Sequence, residues 1–141
     1  MSVSVVARRD WEDVYGVLKR SPEAKSPNSL AVLKRLLRIS EEVWIGMHDE
    51  EVACVWGLAP PSTISNRAYL WLLTTDIVDQ HKFLFIRHSQ RVLEQALERY
   101  PTIYGQVEVN NNSAKRWLKW LGATFDPPER GYLPFVIKKG K

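Results

Sequence analysis

Glu108 closes a polar stripe on a predicted strand and carries a carboxylate. It stands in Thr102-Ile-Tyr-Gly-Gln-Val-Glu-Val-Asn110, a run whose β-branched and aromatic residues predict a strand over Ile103 to Val109. By the two-residue period of a strand, Tyr104, Gln106, Glu108 and Asn110 share one face. Such a stripe lines up a phenol, an amide and a carboxylate that can serve as a general base. It equally suits a face turned to solvent or to a partner, and spacing alone leaves both readings open. The three histidines carry less. His48 falls in a turn and is expected at the surface. His81 and His88 flank a helix start, where His81 has the chemistry of a base or a phosphate contact. No set of ligands at metal spacing accompanies them, so no metal is expected. Cys54, the single cysteine, lies in the apolar run Val52 to Leu58 and is expected to be a buried, inert thiol.

Basic residues form a second group. Lys115, Arg116 and Lys119 lie opposite the apolar side of a short helix, with Trp120 on its flank, and Lys138, Lys139 and Lys141 end the chain. A solvated face is the plain reading of the helix charges. A flank tryptophan beside them also suits a partner surface. The net charge of +4 favours anionic partners only weakly. No nucleic-acid-recognition motif is present, so a specific nucleic-acid ligand is not expected. No apolar run approaches the ~18 residues of a membrane span. The N-terminal Met-Ser-Val-Ser-Val-Val-Ala-Arg-Arg-Asp has no signal core. The expectation is a protein that is not secreted and does not cross a membrane.

These residues must be positioned by a chain of 141 residues, 45% hydrophobic with six tryptophans, enough for one domain, 1–141, with a real core. Ser4 to Ala7 predicts a first strand. Asp10 can cap a helix with Trp11, Val14, Tyr15 and Leu18 on one side. Ser26-Pro27 opens a second helix carrying Leu30, Leu33, Leu36 and Leu37. Val43 to Met47 and Glu51 to Leu58 flank His48-Asp-Glu50 as a hairpin, and Ala68 to Thr75 is a strongly apolar strand. The longest helix is predicted over Lys82 to Arg99, with Phe85, Ser89, Val92, Leu93, Ala96 and Tyr100 inward and Pro101 stopping it. After the strand that carries Glu108, Asn111 or Asn112 caps a helix with Ala114, Trp117, Leu118 and Leu121 on one side. Gly122 ends it. Thr124-Phe125 and Tyr132 to Ile137 are the last strands. The order β-α-α-β-β-β-α-β-α-β-β predicts an α/β fold with a mixed sheet.

That order resembles the GNAT acyltransferase superfamily across nearly the whole chain. The hairpin with its acidic turn and Ala53 matches the superfamily pattern. So does Asn111-x-x-Ala114, a short helix and Gly122, with Phe125 displaced by two positions from the usual Gly-Phe. More narrowly, Leu70 to Lys139 is similar to the small GNAT-like internal virion proteins of T7-like short-tailed phages. The shared texture is Leu-Leu-Thr-Thr-Asp76, a long basic helix, and Trp-Leu-Lys-x-Leu-Gly-Ala-x-Phe125.

The resemblance implies acetyl-CoA bound in a splay between the fourth and fifth strands, beside Leu73, Thr74 and Thr75 and near Asn110 and Asn111. It implies a pyrophosphate loop at Gln80, His81, Lys82, Phe83, Leu84 and Phe85. There the family pattern needs small residues so that backbone N–H groups can approach the phosphates at a helix start. Gln80 fits, whereas Phe83 and Phe85 stand where small residues belong. The family's usual acid is a tyrosine four residues after the helix alanine, and here that position is Leu118, which cannot donate a proton. Tyr104 or Tyr132 is the candidate to replace that acid, although spacing alone places neither near the thiol. Two functions follow as expectations. One is a phage GNAT-fold protein in the virion or host cytoplasm, with a degenerate acetyl-CoA site, a binding or structural role and other virion proteins as partners. The other is an active N-acetyltransferase that passes acetyl directly to an amine, with Glu108 as base.

Overall fold

Strand-forming residues fill 42–59, broken only by Asp49-Glu50, and the chain there doubles back on itself. The computed structural model describes residues 2–5, 10–11, 35–62 and 64–140. They fall into two units that interleave along the chain: Met1–Ala59 with Trp71–His81, and Pro60–Leu70 with Lys82–Lys141.

In the first unit β1 (Ser2–Val5), β2 (Glu42–His48) and β3 (Glu51–Ala59) run antiparallel in the order β1-β2-β3, followed by β4 (Arg67–Thr74), whose second half belongs here. Ser2 to Val5 pairs with Met47 to Trp44, and Glu42 to His48 pairs with Leu58 to Glu51, with a shift between Gly46 and Met47. Asp49 and Glu50 turn the hairpin with φ of 49° and 68°. Both are positive, as a two-residue turn matched to strand twist requires, although neither residue is the glycine that adopts this most easily. Ala53 to Ala59 is buried throughout, which is why the strand is almost continuously apolar, and Trp44 lies 5.0 Å from Trp56 between ring centroids. The Trp71 indole Nε1 donates to Ser40 Oγ at 2.7 Å, and that hydroxyl donates to the Leu36 carbonyl at 2.7 Å. The helix expected from Ser26 is seen over 35–39. Val14, Tyr15, Leu18, Leu30 and Leu33 lie outside the described residues, as does Ala7. The first strand begins at Ser2 rather than Ser4.

A short helix that the sequence pattern does not predict, α1 (Asp76–Gln80), follows β4. Thr75 precedes it. Its N–H donates to the Ala53 carbonyl at 2.9 Å, and its hydroxyl lies 3.0 Å and 3.1 Å from the Ala53 and Val52 carbonyls.

The second unit holds the first half of β4, then α2 (Lys82–Arg99), β5 (Thr102–Glu108), α3 (Asn112–Trp120), β6 (Thr124–Phe125) and β7 (Tyr132–Lys138), with strand order β4-β5-β7-β6. β4 and β5 are parallel, while β7 is antiparallel to β5 and to β6. The sheet is therefore mixed, as the element order predicts. α2 has the expected bounds. Its buried residues are Phe85, Ile86, Ser89, Leu93, Ala96 and Leu97, so Ile86 and Leu97 replace Val92 and Tyr100 in the inner stripe. Asn111 is the cap of α3: its Oδ1 accepts from the Ala114 N–H at 3.1 Å. Ala114, Trp117, Leu118 and Leu121 are buried as the helical spacing demands, and Gly122 closes the helix at φ 95°.

Candidate functional site

In the second unit β5 divides its residues between two faces. Ile103, Gly105 and Val107 are buried, whereas Tyr104 and Glu108 are half-buried and Gln106 is exposed. Asn110, expected on the polar face, lies beyond the strand in a turn. The parallel register runs from Arg67↔Thr102 to Tyr69↔Tyr104, while β5 continues to Glu108 with β7 beside it throughout. Register brings two further tyrosines to this face. Tyr69 sits opposite Tyr104, their ring centroids 5.7 Å apart, and Tyr132 sits opposite Glu108. The Arg67 guanidinium lies over the Tyr104 ring, 4.6 Å from its centroid. Burial, then the neighbouring Tyr104 and Tyr132, pushes the Tyr69 hydroxyl pKa up, so this phenol stays a proton-bearing donor. The polar stripe is thus a phenol cluster with a carboxylate at its end. Sequence spacing does not single out Tyr69. Only the strand pairing brings it to Tyr104.

The end of β5 is fastened. The Val109 N–H donates to the Gly131 carbonyl and the Asn111 N–H to the Glu108 carbonyl, both at 3.0 Å. The Asn111 side chain is occupied by the cap, which leaves Asn110 as the exposed amide of the pair. Leu118 is 1% exposed on the inner side of α3. Its position is taken up by packing.

The segment Gln80 to Phe85 is not a loop. Gln80 ends α1 in the first unit and is exposed, His81 caps that helix, and Lys82 already opens α2 in the second. Phe85 is fully buried in the stripe of α2, so its bulk points into the core and not over the helix start. Phe83 is exposed, its ring 6.4 Å from that of Trp120 and set edge-on to it. The Lys82 ammonium lies 5.6 Å from the Phe83 centroid, and Leu84 is also exposed. The expected crowding by two phenylalanines therefore reduces to one outward-facing ring.

In the first unit, Leu73 and Thr74 lie on β4, and the Thr75 hydroxyl is held by β3 carbonyls. His48 is not a plain surface residue. It ends β2, its ring centroid lies 3.9 Å from that of His81, and its Nε2 is 3.4 Å from Asp49 Oδ2. The pair is separated by 32 intervening residues (49–80), and no sequence pattern announces it. Cys54 is buried, and desolvation pushes its thiol up to about 12, so it carries no thiolate at neutral pH. Among the described residues no group of three or more His, Cys, Asp or Glu could hold a metal ion, and no helix is long and apolar enough to cross a membrane.

This arrangement of strands and helices is that of solved acetyltransferases. An acetyltransferase of the GNAT family from Streptococcus pneumoniae superposes with a TM-score of 0.72 at 11% identity, covering 99% of both chains. The yncA protein of Salmonella typhimurium, solved with its cofactor acetyl-CoA, gives 0.64 at 13% identity, over 100% of this chain and 95% of that one. Ribosomal-protein-alanine N-acetyltransferase from Brucella melitensis gives 0.63 at 10% identity, over 98% and 99%. No protein-family model matches the sequence, and no curated protein matches it. The chain has the GNAT acetyltransferase fold.

Proposed function

We propose that the protein is a phage-encoded, virion-associated GNAT-fold protein whose acetyl-CoA site is degenerate and whose role is to bind rather than to turn over. The observation that carries this reading is Leu118. The side chain at the family's acid position is apolar and buried, so no proton can be delivered from it to a leaving thiolate. The phage assignment rests on the likeness of Leu70 to Lys139 to the short-tailed-phage proteins. On this reading the partners are other virion proteins, and the protein is found in the particle or in the host cytoplasm.

A second reading, an active N-acetyltransferase, is favoured by a different observation. Phe85 is turned into the core, so the N–H groups that open α2 are less obstructed than the sequence suggests, and a helix start of this kind suits a pyrophosphate. Lys82, which opens α2, would supply a cationic contact to acetyl-CoA. Glu108 would take the proton from the attacking amine, and Tyr104 or Tyr132 would replace the absent acid. Acetyl-CoA, when bound, supplies the activated acyl group.

Calorimetry or thermal shift with acetyl-CoA and CoA separates the two, because a ligand that binds the folded state raises its stability. The binding-protein reading expects no acetyl transfer, with weak ligand stabilisation or none. Micromolar binding together with turnover that falls on Glu108→Gln, while affinity is kept, would overturn it. Absence of stabilisation at millimolar ligand would sink the enzyme reading. Co-purification with phage particles is expected, and localisation free of particles would count against the virion assignment.

A further inference from the structure

Of the six tryptophans, all within the described residues, Trp120 alone is exposed, at 60%, while the other five are 7% exposed or less. An exposed indole has lost the burial that normally holds it in a core, and its surroundings say what would cover it. Phe83, 68% exposed, stands edge-on to it. Each ring shares its helix face with an arginine four residues away: Phe83 with Arg87 on α2, and Trp120 with Arg116 on α3. Both arginines are exposed, as are Lys82 and Lys119, and Lys115 is half-buried. α3 contains no acidic residue, and the first on α2 is Glu94. None of these five cations has an ion-pair partner among the described residues.

We infer that this α2–α3 face is a sequence-independent contact for single-stranded nucleic acid. Bases would stack on Phe83 and Trp120, and phosphates would lie on Arg87, Arg116 and the flanking lysines. Stacking on aromatic rings with cations tracking the backbone is how single strands are held without reading their sequence, since every base offers a flat face. An acidic protein would satisfy the charge. However, only three large apolar side chains are exposed here, Phe83, Leu84 and Trp120, and a protein interface of about 800 Å² per partner needs a larger apolar centre. A base needs one ring. The inference does not rest on acetyl-CoA being bound.

The test is fluorescence anisotropy of a labelled single strand of about 15 deoxythymidines titrated with the full chain, read together with the emission of Trp120. Binding is expected at low salt, with quenching of that one exposed indole. Its log affinity should fall against log salt with a slope of about −2 to −3, as three to four neutralised phosphates predict. Phe83→Ala with Trp120→Ala is expected to weaken it by roughly tenfold or more, since one stacked base is worth about that much. Arg87→Gln with Arg116→Gln should flatten the salt slope by about 1.4 units, roughly 0.7 for each phosphate left without its arginine. All four side chains are exposed, and unchanged thermal midpoints would show that the fold is kept. Equal affinity for duplex of the same length, or for polyglutamate competing as well as the oligonucleotide, would overturn the proposal. So would binding indifferent to the aromatic double substitution, or no binding at all.

Discussion

The two faces of β5 are built from the same seven residues and behave as different materials. On one, Ile103, Gly105 and Val107 are buried, and a Cβ built on Gly105 would lie 2.5 Å from the Leu70 carbonyl oxygen and 2.8 Å from the Phe135 ring. On the other, Tyr104 meets Tyr69 and Arg67, Glu108 sits opposite Tyr132, and Gln106 is exposed. On the first face, position 105 has no room for an added atom unless its neighbours shift. The second carries phenols and a carboxylate. A strand alternates by geometry, so one face can be given wholly to stability while its neighbour stays available.

Substitutions can test how sharply that division holds. Ile103→Ala, on the fully buried face, is expected to cost about 2–5 kcal/mol by removing packed methyl groups and leaving a cavity. Chemical denaturation measures it, and a cost under ~1 kcal/mol would mean that the buried face is not close-packed. Gly105→Ala is expected to cost about 1–3 kcal/mol, because one obstruction is a backbone oxygen that cannot rotate aside. A neutral result would show that β4 and β5 can part locally. On the open face, Gln106→Ala should change stability by less than about 0.5 kcal/mol, as exposed sites do. A larger loss would mean that the stripe is structural.

The smallest effect concerns Tyr69. Its phenol holds its proton more tightly folded than unfolded, so its contribution is fully present below the ordinary tyrosine range. It is lost as pH rises through that range towards the raised folded value, because the unfolded chain ionises first. Tyr69→Phe should leave stability at neutral pH nearly unchanged and soften the alkaline fall. An alkaline unfolding curve identical to that of the parent would remove the phenol cluster as an electrostatic unit.

Much of the fold is legible in the sequence where the signal is local. α2 is bounded correctly because its apolar residues recur at helical spacing and Pro101 ends it. α3 is bounded by the Asn111 cap and Gly122, and the hairpin by alternating strand formers around an acidic turn. The mixed sheet follows from the order of elements. α1 escapes the sequence reading because five residues, two of them aspartate and two β-branched, are too few to show a period. What register creates is not legible either. Tyr69 meets Tyr104 across two parallel strands, and His48 meets His81 across a hairpin and a helix end. The bulk of Phe83 and Phe85 is visible in sequence, but which way each ring turns is decided by the burial of one and the exposure of the other.

One arrangement in the first unit bears on heredity. A Cβ on Gly57 would lie 2.5 Å from the indole of Trp71, whose N–H is held by the Ser40 hydroxyl. Three positions far apart in the gene are therefore bound to one another. A lineage that enlarges residue 57 must first shrink residue 71, and in doing so takes away the indole N–H that the hydroxyl at 40 accepts. Descendants of this chain should vary at the three sites together or not at all, and relatives too distant to align by identity could be recognised by that linked inheritance.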